Sequence, residues 1–186
     1  HQQKKPCKKH SMLKAIKPYF RNVNNHRNAI PSKTINKIDS LFNRVTDFCK
    51  KNDGLFANRK KACLLHRDLS RENIIYDGKK IILLDWEFSN YNFPEWDLVY
   101  FIQSLRLNSK QKDLFLKTYG CKSSKKSMKK LLIISLLNTC GDIGYSVWRL
   151  GLVKQKKLNK KLSPEISTRL DLDINRLSKI IRELES

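Results

Sequence analysis

The sequence predicts a mainly α-helical domain that carries one small β-ribbon. Two observations predict it. Apolar residues recur at helical spacing on both flanks, at Ile35, Ile38, Leu41, Phe42, Val45 and Phe48 early in the chain and at Ile166, Leu170, Leu172, Ile174, Leu177, Ile180, Ile181 and Leu184 late in it. Between them, the short apolar runs 74–76 and 80–84 flank Asp77-Gly78. That dipeptide favours a tight hairpin, because Asp and Gly tolerate the positive φ angles such turns require.

At the N-terminal end, residues 1–10, HQQKKPCKKH, read as a flexible basic lead-in, and the remainder, 11–186, as one domain. The first residue is His rather than Met, as in a fragment or a processed product. No apolar stretch comes after the basic start, so no signal peptide is expected. Residues 12–25 carry Leu13, Ile16, Phe20 and Val23 at helical spacing, with Pro18 disturbing the register. Ser32 is the expected cap of a helix over 33–51, which Asn52-Asp53-Gly54 ends. Residues 62–65 form an apolar run expected to be a buried strand, with the hairpin next. Residues 98–107 are apolar and expected to be buried. Ser109 is the expected cap of a helix through Tyr119, with Gly120 just beyond. Two further helices are expected over 127–140 and 143–153, the second resuming after Gly141. Residues 154–161 read as a short linker, and Ser163-Pro164-Glu165 starts the last helix.

Composition bounds the function. A chain of 186 residues that is 40% apolar can bury a real core. No run of about 18 apolar residues occurs, so no membrane span is expected. Five cysteines without paired C-x-x-C spacing argue against a disulfide framework or a zinc site, and fit reduced thiols in the cytoplasm. The formal charge of +22 attracts polyanions, nucleic acid among them. The lysines are spread along the chain with no arginine-rich arm, zinc finger or RNA-binding aromatic signature, so the charge reads first as a solvated surface and otherwise as non-specific nucleic-acid binding.

The chemistry concentrates in residues 62–97. His66-Arg67-Asp68-Leu69 is succeeded at Asn73 by an amide, and the ribbon then ends at Asp85. This order outlines a phosphoryl-transfer site, in which a carboxylate orients the acceptor hydroxyl and takes its proton while oxygen ligands hold Mg²⁺ against the phosphates of ATP. Asp68 suits the first task, and Asn73 and Asp85 the second. The hairpin brings those two ligands together, since one enters the ribbon and the other leaves it. His66 is expected to orient the loop.

With the tetrad Asp85-Trp86-Glu87-Phe88 and the later Trp96-Asp97, the segment resembles the catalytic core of the choline/ethanolamine kinase and aminoglycoside phosphotransferase group, within the protein-kinase-like fold. The resemblance implies a C-terminal kinase lobe, with Glu87 as an accessory metal ligand and Asp97 as the buried aspartate that braces the catalytic loop. It implies ATP, Mg²⁺ and a small-molecule alcohol as ligands. It also implies that Tyr145 and Trp148, three apart on a late helix, resemble the aromatic pair that lines a quaternary-ammonium pocket, with Asp142 as a nearby countercharge. Packing within an amphipathic helix accounts for the same two aromatics. Where choline kinases place an acid two turns after the residue matching Asp97, this chain has Gln103 and Ser104, which leaves ethanolamine, thiamine, an aminoglycoside or a sugar as further acceptors. Kinases of this group also carry an N-terminal lobe with a glycine-rich loop and a strand lysine. These 186 residues contain six glycines and no G-x-G-x-x-G, so the N-terminal lobe is expected to be absent from them. A non-catalytic kinase-like binding module is the alternative reading.

Overall fold

A computed structural model describes residues 11–56, 62–121 and 124–186; the basic lead-in, with Cys7 and His10, lies outside the described residues. The described chain divides into two compact units, residues 56–135 and residues 11–55 with 136–186.

The second of these units is helical. Helix α1 (Met12–Asn25) keeps Pro18 inside it, on the exposed side, where the lost backbone bond costs least. Its first N–H is satisfied at a distance, the Asp53 carboxylate accepting from Met12 N at 2.9 Å. Helix α2 (Ser32–Asn52) starts differently from expectation. Ser32 lies inside the helix, Pro31 precedes it, and Pro31 O accepts from the N–H groups of Thr34 and Ile35. The buried stripe ends on Cys49 in place of Phe48, since Cys49 lies seven residues after Phe42 and four after Val45. Phe20 of α1 stacks on Phe42 of α2, with ring centroids 4.2 Å apart. Helix α6 (Ser163–Glu185) buries Ile166, Leu170, Ile174, Leu177, Ile180 and Ile181 but leaves Leu172 58% exposed, off the stripe.

Helix α5 is one continuous element, Lys125–Lys154, where the sequence predicts two. Gly141 does not break it; Gly141 and Gly144 instead let α1 approach. A Cβ at Gly144 would lie 3.1 Å from the backbone of Tyr19, and backbone cannot swing away as a flexible side chain can. Gly144→Ala is expected to cost about 1–3 kcal/mol and to lower the melting temperature by about 2–4 °C per kcal/mol, which calorimetry measures directly; an unchanged midpoint would refute the close packing. Helix α5 is also long and apolar enough to cross a membrane by length and composition, the one such helix among the described residues, although 61% of its apolar window is buried within the protein. A core helix has those properties too.

The other unit holds the strands. β1 (Cys63–Leu65) pairs antiparallel with β4 (Asn90–Asn92). Only Leu65 of β1 is buried, whereas Cys63 and Leu64 are exposed, so the expected buried strand is an edge with one inward residue. β2 (Ile74–Tyr76) pairs with β3 (Ile81–Leu83) to make the ribbon. Its turn is held by the Asp77 carboxylate, which accepts from Lys79 N at 2.8 Å and Lys80 N at 2.7 Å. Those bonds, Lys80 first, keep the Asp77 pKa below the ordinary carboxylate value. Gly78 adopts φ +92°, as the turn requires. Helix α3 (Glu95–Ser104) buries Trp96, Leu98 and Val99. Helix α4 (Ser109–Thr118) is capped by Asn108, whose side chain accepts from Gln111 N while Gln111 returns the bond, so the capping residue precedes Ser109. Gly120, at φ +80°, closes its end.

Candidate active site

Strand β1 delivers the chain to His66, and α3 fixes the loop from there on. The Asp97 carboxylate accepts from His66 N at 2.7 Å and from Arg67 N at 2.9 Å. One acid therefore satisfies two successive N–H groups of the loop and holds Arg67 at φ 72°, a left-handed conformation that non-glycine residues rarely adopt. The Arg67 guanidinium lies 4.3 Å from the Trp96 ring centroid. The buried His66 ring bridges the loop to the ribbon. Its Nδ1 faces Asp68 N at 3.3 Å and its Nε2 faces Leu84 O at 2.7 Å. An N–H on one side and a carbonyl on the other fix the tautomer, with Nε2 carrying the hydrogen.

Asp68 is oriented by two donors. Asn73 Nδ2 donates to Asp68 Oδ2 at 2.9 Å and also to Asp68 O at 3.0 Å. The Tyr100 hydroxyl donates to Asp68 Oδ1 at 2.7 Å. Sequence reasoning misses Tyr100. The signal is there, since Tyr100 lies three residues after Asp97 and Ser104 four after Tyr100, which puts all three on one helix face. Ser104 Oγ donates to Leu69 O at 2.8 Å, so that face of α3 grips the loop at four successive residues, 66–69.

Asn73 and Asp85 sit at the base of the ribbon. Leu84 N donates to Asn73 O at 2.9 Å, extending the register of Ile74 with Leu83 by one step. Asp85 comes next, at φ 58°, a second strained position in the same small region. Glu87 lies in an exposed turn closed by Ser89 N on Trp86 O at 3.0 Å. Since the Asn73 amide nitrogen is engaged by Asp68, its Oδ1 is the atom that would meet a cation. Among the described residues no cluster of three or more His, Cys, Asp or Glu side chains could hold a metal. A Mg²⁺ site does not need one. This hard ion keeps several waters and uses one or two carboxylates with substrate phosphates, and a donor set of carboxylate and amide oxygen without sulfur or imidazole suits it.

Tyr145, Trp148 and Asp142 belong to the other unit, on α5. Tyr145 and Trp148 form a ring pair with centroids 5.5 Å apart, and the Arg149 guanidinium lies 5.8 Å from the Tyr145 centroid. Asp142 faces Arg176 Nη1 at 3.5 Å, while the fully buried Asp173 binds Arg169 at 3.1 Å and Arg176 at 2.6 Å. Burial, and then the charge of Asp173, raise the Asp142 pKa to about 6 against the opposing pull of Arg176 and Arg169. The folded protein therefore holds this proton at a pH where the unfolded chain has released it, and the contribution of Asp142 to stability falls as pH rises from about 4 to about 6. The side chain is 38% exposed, so solvent screens part of the effect. Asp142→Asn is expected to raise the melting temperature relative to the parent more at pH 7.5 than at pH 4, in parallel thermal scans; an equal difference at both would contradict the assignment.

Comparison with known proteins bears on the family and the fold. The family model for choline/ethanolamine kinase matches residues 1–168. A LicA homologue of Metamycoplasma hominis is 32% identical over 105 residues, which is 56% of this chain and 42% of that protein. The crystal structure of LicA in complex with AMP superposes with a TM-score of 0.64 at 21% identity, covering 92% of this chain and 55% of that one. The choline kinase LicA from Streptococcus pneumoniae gives 0.61 at 21% identity, covering 94% of this chain and 58% of that one. These similarities show a shared kinase-like fold, and the chain spans about half the length of the relatives it matches.

Proposed function

Since this chain belongs to the choline/ethanolamine kinase family, we propose that it is the catalytic lobe of a phosphotransferase that moves the γ-phosphoryl of ATP to the hydroxyl of a small amino alcohol such as choline or ethanolamine. The observation that carries this reading is the Asp68 carboxylate, held by Asn73 and Tyr100 beside the ribbon end that carries Asp85. Asp68 orients the acceptor hydroxyl and takes its proton as the oxygen attacks phosphorus. Asn73 Oδ1 and the Asp85 carboxylate would hold Mg²⁺, with Glu87 assisting; the ion, when bound, offsets charge on the phosphates. His66 keeps the two halves of the site in register, through Leu84 O on one side and Asp68 N on the other. The ribbon face that carries Asn73 also exposes Ile75, Ile82 and Leu84, an apolar surface suited to the flat face of a nucleotide base. Tyr145 and Trp148 are the proposed platform for the cationic end of the acceptor. The phosphate-covering loop and lysine of such enzymes have no counterpart by motif in these residues, and a second lobe or chain is the proposed source.

Asp85→Ala is expected to abolish the Mg²⁺-dependent part of nucleotide binding, measured by calorimetry with and without the ion; equal affinity in both proteins would sink the ligand assignment. The acceptor is tested by phosphorylation assays of choline, ethanolamine, thiamine, an aminoglycoside and a sugar with the complete reading frame that contains this sequence. Transfer to none of them would favour the binding-module reading.

A further inference from the structure

Behind the ribbon, on the face opposite Ile75 and Ile82, lies a groove of about 510 Å³. Strand alternation puts Ile74, Ile81 and Leu83 on that face, and Leu98, Phe101 and Phe115 of α3 and α4 form the opposite wall. The volume falls in the range of small-molecule sites, roughly 300–1,000 Å³, and the walls are mostly apolar as such sites are. Among the described residues two charged ones line it, Asp97 and Arg71. Both Asp97 oxygens are already taken by the N–H groups of His66 and Arg67. Arg71 is exposed and makes no ion pair with a described residue. Cys63 and Tyr119 also line the groove. Burial, with the nearby charges of Asp97 and Glu95, raises the pKa of both, so both stay neutral. Among the described residues the groove is thus apolar along its length, with the Arg71 guanidinium as its one available charge.

We propose that this groove binds a free single-chain amphipath, with its aliphatic or aryl body between the ribbon and helices α3 and α4 and its anionic head on Arg71. An apolar body removes Ile74, Leu83 and Phe101 from water, and a carboxylate meets a planar guanidinium through paired hydrogen bonds. A cationic head group would be repelled at the same position. The site is distinct from the nucleotide face of the ribbon, and it shares Asp97 and Leu69 with the catalytic loop. The proposal goes beyond the phosphotransferase reading and does not depend on it.

The test is a titration of the isotope-labelled chain with monomeric decanoate, monitored residue by residue in ¹H–¹⁵N spectra, with decanol and decyltrimethylammonium as comparison probes. Decanoate is expected to shift Ile74, Leu83, Phe101 and Phe115 saturably and to bind more tightly than either comparison probe. Arg71→Gln is expected to weaken decanoate roughly 3–5-fold, the worth of an exposed ion pair, without altering the affinity for decanol, and Arg71→Lys is expected to restore part of the loss. Shifts that do not saturate, shifts confined to residues away from the groove, equal binding of the cationic probe, or an Arg71→Gln chain that binds decanoate like the parent would each overturn the proposal. Because no turnover is measured, a negative result here leaves the phosphotransferase reading intact, and a failed phosphorylation assay leaves this one intact.

Discussion

Asp68→Asn should lower phosphoryl transfer about 10²–10⁴-fold in the complete enzyme, the usual worth of a positioned general base, while leaving the melting temperature nearly unchanged. The two halves of that expectation have separate causes. Asparagine keeps the size of the side chain and can keep both contacts. Its oxygen can accept from Asn73 Nδ2, which now sits 2.9 Å from Asp68 Oδ2. Its amide nitrogen can donate to the Tyr100 hydroxyl, which turns from donor to acceptor at the 2.7 Å contact. The variant loses only the capacity to take the proton of the acceptor hydroxyl. Steady-state kinetics and a thermal scan of the same preparation check both halves. Retained turnover would remove Asp68 from the chemistry, and a large loss of stability would show that the carboxylate charge is structural.

Asp97→Ala has the opposite signature. Its carboxylate accepts from two successive backbone N–H groups, at 2.7 and 2.9 Å. Deleting it leaves two part-buried donors without their acceptor, at about 1–3 kcal/mol each. It also releases Arg67 from its φ of 72°, so the loop relaxes toward ordinary backbone and Asp68 moves with it. Stability and turnover should therefore fall together in Asp97→Ala, whereas turnover alone falls in Asp68→Asn. Asp97→Asn, which keeps one acceptor oxygen, should lie between the two. A stable, inactive Asp97→Ala would mean that Asp97 touches the reacting groups; a stable, active one would mean that the loop holds itself.

Much of the fold is legible because its signals are local. Asp77-Gly78 specifies a turn through its own backbone preferences, and β2 and β3 lie within the runs on either side of it. The buried residues of α6 come from a 3.6-residue repeat. The misses share a different origin. β4, Asn-Tyr-Asn, has little intrinsic tendency to extend and does so because β1 offers it a partner. Gly141 reads as a break by propensity, yet in the fold a neighbouring Tyr19 needs the space of its missing side chain. Asn108 and Ser109 are both good caps, and the reciprocal bond from Gln111 selects the first. The candidate site divides in the same way. Asp68, Asn73 and Asp85 announce themselves by chemical type and order, but Tyr100 looks like one more apolar helix residue until α3 is seen to grip the catalytic loop. The strained φ angles at Arg67 and Asp85 leave no mark in the sequence at all.

In the proposed mechanism, side chains from the loop and from both ends of the ribbon converge on one divalent cation. Anomalous diffraction from crystals grown with Mn²⁺ and a nucleotide locates that ion directly. A single strong peak is expected in contact with Asn73 Oδ1 and the Asp85 carboxylate, with Asp68 facing the same space. A peak bound elsewhere, or carboxylates of Asp68 and Asp85 turned away from a common centre, would refute the shared site.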